Sequence, residues 1–117
     1  MTISEKKEST PRMKPQWKEF VSALEDKKAT EIVVLDVRLV CSFTDYIIIC
    51  TGMSDRQIKA MADHVIETFG KPYGREGVEQ GRWVLLDYVD VVIHIFQDDI
   101  RRYYDMESMW YEAKRVH

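Results

Sequence analysis

Two runs of β-branched residues, Ile32-Val33-Val34-Leu35-Asp36-Val37 and Tyr46-Ile47-Ile48-Ile49-Cys50-Thr51, limit the folds open to this chain more than any other feature. Neither alternates apolar with polar residues, as a half-solvated strand would, so both read as strands covered on two faces. Only eight residues, Arg38 to Asp45, join them. A parallel crossover needs a dozen or more, which makes the two strands antiparallel neighbours. With 117 residues the chain suits one α/β domain with one ordinary core, and it is too short for a two-domain enzyme.

The flanking segments carry helical periodicity. Trp17, Phe20, Val21 and Leu24 recur at i, i+3, i+4 and i+7, predicting a helix that packs on the sheet and ends in Glu25-Asp26-Lys27-Lys28. A second helix is N-capped by Ser54, with Gln57 three residues on, Asp55 in the first turn and a stripe of Ile58, Met61, Ala62, Val65, Ile66 and Phe69. Gly70 and Pro72 stop it. The stretch from Thr51 to Arg82 is long enough for a right-handed crossover, which would bring the next strand parallel to an earlier one. Residues 71–81 read as irregular chain or a short edge strand. Arg82 to Tyr88 and Val91 to Phe96 read as a hairpin turning at Val89-Asp90, followed by helical pieces at 98–104 and 106–111 and a fraying basic tail at Lys114-Arg115. Residues 1–14 read as a flexible leader ahead of a domain spanning 15–117.

A two-residue turn sorts the hairpin into two faces. One holds Val84, Leu86 and Tyr88 with Val91, Ile93 and Ile95, an aliphatic surface that must be core. The other holds Trp83, Leu85 and Asp87 with Val92, His94 and Phe96. Aromatics interspersed with a few polar groups suit a binding surface, while cover by the first or last helix would suit the same residues equally well.

Charge narrows the partners. The formal net charge of -3 is uneven: residues 31–100 carry six Lys/Arg against twelve Asp/Glu, whereas residues 1–30 carry seven against five and residues 101–117 four against three. An acidic body disfavours direct reading of RNA or DNA, which draws on clustered Lys/Arg, and leans toward a basic protein partner, while keeping a small domain soluble would account for the same charge equally well. Arg101-Arg102-Tyr103-Tyr104, the one segment resembling a nucleic-acid contact, stands among Asp98, Asp99 and Asp105 and reads better as a solvated helix end. The two cysteines lack zinc spacing, no apolar run is long enough to span a membrane, and no signal-peptide core follows the polar opening, so the expected setting is the reducing cytoplasm.

Catalytic patterns are weak. Gly52-Met53-Ser54 lies at a strand-to-helix turn where backbone N–H groups could hold a phosphate, but an N-cap explains Ser54. Asp36, Asp45, Asp87 and Asp90 could converge on magnesium, yet no Asp-x-Asp pair lies on the strands. A nucleotidyltransferase-like or nucleotide-binding activity is therefore the alternative reading.

Seven segments, in order, resemble one family: Ser42-Phe43-Thr44-Asp45-Tyr46, Thr51-Gly52-Met53-Ser54-Asp55-Arg56-Gln57, Ala62-Asp63-His64-Val65, Glu76-Gly77, Trp83-Val84-Leu85-Leu86-Asp87-Tyr88, Asp90-Val91-Val92-Ile93-His94-Ile95-Phe96 and Arg102-Tyr103-Tyr104-Asp105. Their succession from about Leu24 to Trp110 is similar to the ribosomal silencing factor (RsfS/Iojap) family. The resemblance implies a single nucleotidyltransferase-like α/β domain with a mixed β-sheet flanked by helices, and no enzymatic activity, metal or cofactor. It further implies binding to the large ribosomal subunit through its fourteenth ribosomal protein, a block on small-subunit joining that represses translation under nutrient limitation, and homodimers off the ribosome. On this reading Trp83, Leu85, Asp87, His94 and Phe96 form the centre of the contact, with Tyr103 and Tyr104, and Trp110 beside them, as a second group. Two departures stand out. Val89 occupies a turn position where the family usually has Gly, which would strain a type I′ turn and could change the turn geometry. Leu39-Val40-Cys41 replaces a loop that more often contains Gly and Ser.

Overall fold

The computed structural model describes residues 15–117, so the expected leader at residues 1–14 lies outside the described residues. The chain runs α1 (Trp17–Asp26), β1 (Thr30–Asp36), β2 (Tyr46–Gly52), α2 (Asp55–Phe69), β3 (Gly74–Glu76), β4 (Trp83–Asp87), β5 (Val91–Gln97), α3 (Asp98–Tyr104), α4 (Met106–Met109) and β6 (Lys114–Arg115). The strands form one mixed sheet in the order β3-β4-β5-β2-β1-β6. Only β2 and β5 are parallel; the other neighbours are antiparallel, including the expected pair β1 and β2.

The crossover expectation needs correction. α2 leads through the short β3 to β4, but β4, the strand beginning near Arg82, is antiparallel to β5, and it is β5 that lies parallel beside β2. Burial explains the exchange. Six successive residues of β5, Val91 to Phe96, are buried, so that strand needs neighbours on both sides, whereas β4 alternates half-buried with buried residues and tolerates a place nearer the edge. The short β3 covers that edge.

One sheet face packs on α1 and α2, where Phe20, Leu24, Ile58, Met61 and Val65 meet Val34, Ile48, Cys50, Val84, Leu86, Ile93 and Ile95. Both helices are capped by their own residues. Gln16 and Glu19 form a reciprocal capping box on α1, and Ser54 Oγ accepts from the Gln57 backbone N–H of α2 at 3.1 Å. The Gln57 side chain does not close back on Ser54. Its oxygen accepts from the Met53 N–H at 2.6 Å, and its amide donates to the carbonyls of Lys27 and Lys28, tying the start of α2 to the end of α1.

The opposite face buries Val33, Leu35, Val37, Ile47, Ile49 and Phe96 beneath Ile100, Met106, Trp110 and Ala113 of the C-terminal segment. Two expectations about that segment fail. Lys114-Arg115 does not fray; it is strand β6, paired with Leu35 and Asp36 of β1, and Val116 N donates to Val34 O at 2.9 Å. Nor is Arg101 solvated. It is 7% exposed, and its Nη1 donates to the Glu31 carbonyl and to Thr51 Oγ1, both at 2.8 Å, while Nη2 and Nε reach Glu107 Oε2 at 2.7 and 3.2 Å. A bulge aims that carbonyl. Between Thr30 and Val33, β1 carries one residue more than β2 opposite it, and Glu31 takes φ 49. Burying a guanidinium requires partners for its donors, and three separate elements supply them.

Candidate functional site

The hairpin faces are those the alternation predicts. Trp83, Leu85 and Asp87 of β4 lie across from Phe96, His94 and Val92 of β5. Gly77 is needed to bring the chain past this point, because it has φ 77 and a Cβ there would stand 2.0 Å from the Trp83 carbonyl oxygen.

From this face the structure separates a buried floor from an accessible rim. Phe96 is fully buried and stacks on Trp83 at a centroid distance of 4.9 Å, so it supports the surface without reaching a partner. His94 is 7% exposed. Its Nδ1 accepts a 3.0 Å hydrogen bond from Trp83 Nε1–H, which fixes the neutral tautomer protonated at Nε2. Burial pulls the imidazole pKa down to about 4, because a charged ring there would lose its hydration. Trp83, Leu85 and Asp87 are half-buried. Tyr104 is exposed and also packs on the Trp83 indole, at 4.9 Å, with Tyr103 edge-on to it and more exposed still.

Beside this stack runs a groove of about 260 Å³ lined by Phe43, Ile47, Leu85, Asp87, Val92, His94, Met106, Met109 and Trp110. Phe43 and Met109 are 65% and 71% exposed, an unusual position for two such side chains facing one shallow depression. Phe43 and Met109 were not among the residues expected from sequence. Phe43 stands in a loop and Met109 in a four-residue helix, neither of which has a period that would aim a side chain toward the hairpin. Trp110 lies edge-on to Phe43 at 6.2 Å and also packs over the second core.

Asp87 has two roles open to it. Its Oδ1 accepts the Val89 N–H at 2.8 Å, and Asp90 N donates to Tyr88 O at 2.9 Å across Val89, whose φ is 73. The tip of the hairpin is thus a γ-turn of the positive-φ kind inside a two-residue connection, rather than a relaxed type I′ turn. Valine accepts the strained backbone there because Asp87 and the Tyr88 carbonyl hold the turn from both sides. Asp87 also lines the groove.

The Gly52 to Ser54 turn offers little to a phosphate. Met53 N–H and Gln57 N–H are already engaged by Gln57 Oε1 and Ser54 Oγ, and Gly52 is glycine for packing, since a Cβ there would meet Ile58 Cγ1 at 2.5 Å. Among the described residues, no three His, Cys, Asp or Glu side chains come close enough together to hold a metal ion, and no helix is long and apolar enough to cross a membrane.

Known proteins match this chain over most of its length. The family profile described as ribosomal silencing factor during starvation matches residues 10–117. Ribosomal silencing factor RsfS of Halalkalibacterium halodurans is 40% identical over 82% of this chain and 86% of its own, and that of Bacillus subtilis is 40% identical over 79% and 81%. The chloroplastic protein Iojap of Arabidopsis thaliana is 34% identical, with 84% of this chain matching 42% of that longer protein. A crystal structure of a protein from Chromobacterium violaceum superposes with a TM-score of 0.76 at 41% identity, covering 80% of this chain and 82% of the other. A profile that spans the whole described domain, relatives this similar and the shared fold lead to one conclusion: the chain belongs to the ribosomal silencing factor (RsfS) family.

Proposed function

We propose that this protein binds the large ribosomal subunit through its fourteenth ribosomal protein and keeps the small subunit from joining, so that translation falls when nutrients are scarce. The observation that carries the reading is the surface at the hairpin: an indole packed against the rings of Phe96 and Tyr104, an apolar groove next to it with Phe43 and Met109 on its rim, and one carboxylate, Asp87, at its edge. Pre-ordered aromatics in such a setting supply most of the energy of protein interfaces, and a rim carboxylate sets register and on-rate against a basic partner. Family membership supports the ribosome as the target, and one relative, 30% identical, is named mitochondrial assembly of ribosomal large subunit protein 1. Exclusion by bulk requires no chemistry. Phe96 and the imidazole of His94 form the floor of this contact; Trp83, Leu85, Asp87, Tyr103 and Tyr104, joined by Phe43, Met109 and Trp110, form its surface. A homodimer using the same apolar surface off the ribosome is compatible with this arrangement.

Sedimentation with purified subunits tests the proposal. The wild-type chain should travel with the large subunit and lower the yield of joined ribosomes, and Trp83→Ala should weaken binding by about tenfold or more while remaining folded by circular dichroism. Asp87→Asn is preferable to Asp87→Ala because it retains the acceptor for Val89 N–H; it should slow association and flatten its salt dependence. A wild-type chain that stays at the top of the gradient refutes the proposal, and normal binding by both variants refutes the surface.

A further inference from the structure

We propose that His94 is a positioning residue for partner binding, its Nδ1 holding the Trp83 indole in the one rotamer that presents it to the partner. This inference rests on the function proposed above and names what pre-organises that same surface.

The indole of Trp83 is in contact with two rings, Phe96 and Tyr104, each 4.9 Å from it between centroids. Stacking alone does not fix which edge of the indole points inward, since a flip about χ2 keeps the ring plane and exchanges the two edges. The hydrogen bond removes that freedom. Nε1 lies 3.0 Å from His94 Nδ1, on the neighbouring strand and two residues along from Phe96, the direct partner of Trp83. The acceptor sits on a central, fully covered strand, stacked on Phe96 with 15° between the ring planes, so it has little room to turn away. A half-buried indole N–H without an acceptor favours rotation toward water, which would take the ring off its platform. Burial also keeps the imidazole neutral through the physiological range, so the acceptor lone pair is continuously available. His94 is too deep to contribute contact area itself, and its effect on a partner would pass through Trp83.

The conservative variant is His94→Asn, whose Oδ1 can take the place of Nδ1. The disruptive one is His94→Leu, of similar bulk and with no acceptor. Two readouts are needed: affinity for purified large subunits, measured on protein shown to be folded, and the indole resonance of Trp83 in a 15N spectrum of the free chain, assigned by its loss in Trp83→Phe. His94→Leu should shift that resonance and weaken binding by about fivefold to tenfold, and His94→Asn should recover most of both. In a cycle with Trp83→Phe, which removes the donor and keeps a ring, the two losses of affinity should be less than additive. If His94→Leu lowers thermal stability while folded protein binds like wild type, or if the cycle couples in stability alone, His94 is a structural residue and the proposal is overturned. If wild type itself does not bind the large subunit, the function proposed above is lost and this role with it, an outcome distinct from an indole that loses its anchor while wild-type binding is intact.

Discussion

Arg101 and Arg102 are adjacent in sequence, and the structure predicts opposite consequences for removing them. Arg102 is exposed and pairs with Asp98 one helical turn away on the surface. An exposed i,i+4 pair contributes about 0.3–0.5 kcal/mol, so Arg102→Ala should hardly move stability. Arg101 is 7% exposed and joins the Glu31 carbonyl, Thr51 Oγ1 and the Glu107 carboxylate. In Arg101→Ala the carbonyl and the hydroxyl each lose a charged donor, worth about 1.5–3 kcal/mol apiece. Glu107 is about one-third exposed, so water recovers much of its share. The expected cost is about 3–5 kcal/mol, comparable to breaking other buried pairs and a large part of the roughly 5–15 kcal/mol available to a domain. Urea unfolding followed by circular dichroism measures it, with Arg102→Ala as the internal control. Because Arg101 also ties α3 and α4 to the β1 bulge, amides of residues 106–116 should exchange faster in Arg101→Ala. Equal midpoints for the two variants, within 1 kcal/mol of wild type, would refute the view that Arg101 is a structural clasp.

Two further predictions concern the hairpin. Val89→Gly should stabilise the protein by about 0.5–1 kcal/mol, because relief of a β-branched residue at φ 73 outweighs the extra freedom that glycine gives the unfolded chain; urea midpoints check it, and destabilisation would show that the side chain packs usefully. For His94 the folded pKa of about 4 lies below the ordinary 6.5, so the unfolded chain takes up the proton first and stability falls as pH drops from about 6.5 to 4. The loss from this one group should approach about 3 kcal/mol. Comparing wild type with His94→Asn across pH 4–7 isolates it from the carboxylates, and parallel curves would contradict the assignment.

How much of the site could be read beforehand differed with the kind of signal. Alternation on β4 and β5 assigned Trp83, Leu85, Asp87, Val92, His94 and Phe96 to one face because side chains of a strand point to opposite sides in turn, a purely local rule. How deep each one lies is not local. Phe96 and His94 are covered because Trp83, Tyr104 and the C-terminal segment pack above them, whereas Phe43 and Met109 come to the groove from a loop and a single turn of helix. Val89 marks the turn as unfavourable for type I′ geometry, whereas the γ geometry it takes depends on the acceptor that Asp87 provides.

By itself, the sequence determined that Ile32–Val37 and Tyr46–Thr51 lie antiparallel, because eight residues cannot carry the chain back for a parallel pairing. It determined α2 as well, through the Ser54 cap, the apolar stripe and the Gly70 stop. Only tertiary structure decided that β5 rather than β4 lies beside β2, that Lys114-Arg115 completes the sheet, and that Arg101 is buried while Arg102 is not. The physical reason is the same in each case. Whether a polar residue is solvated, or a strand becomes central, depends on partners far along the chain, as with the 70 residues between Arg101 and the Glu31 carbonyl, and neither periodicity nor propensity records those meetings.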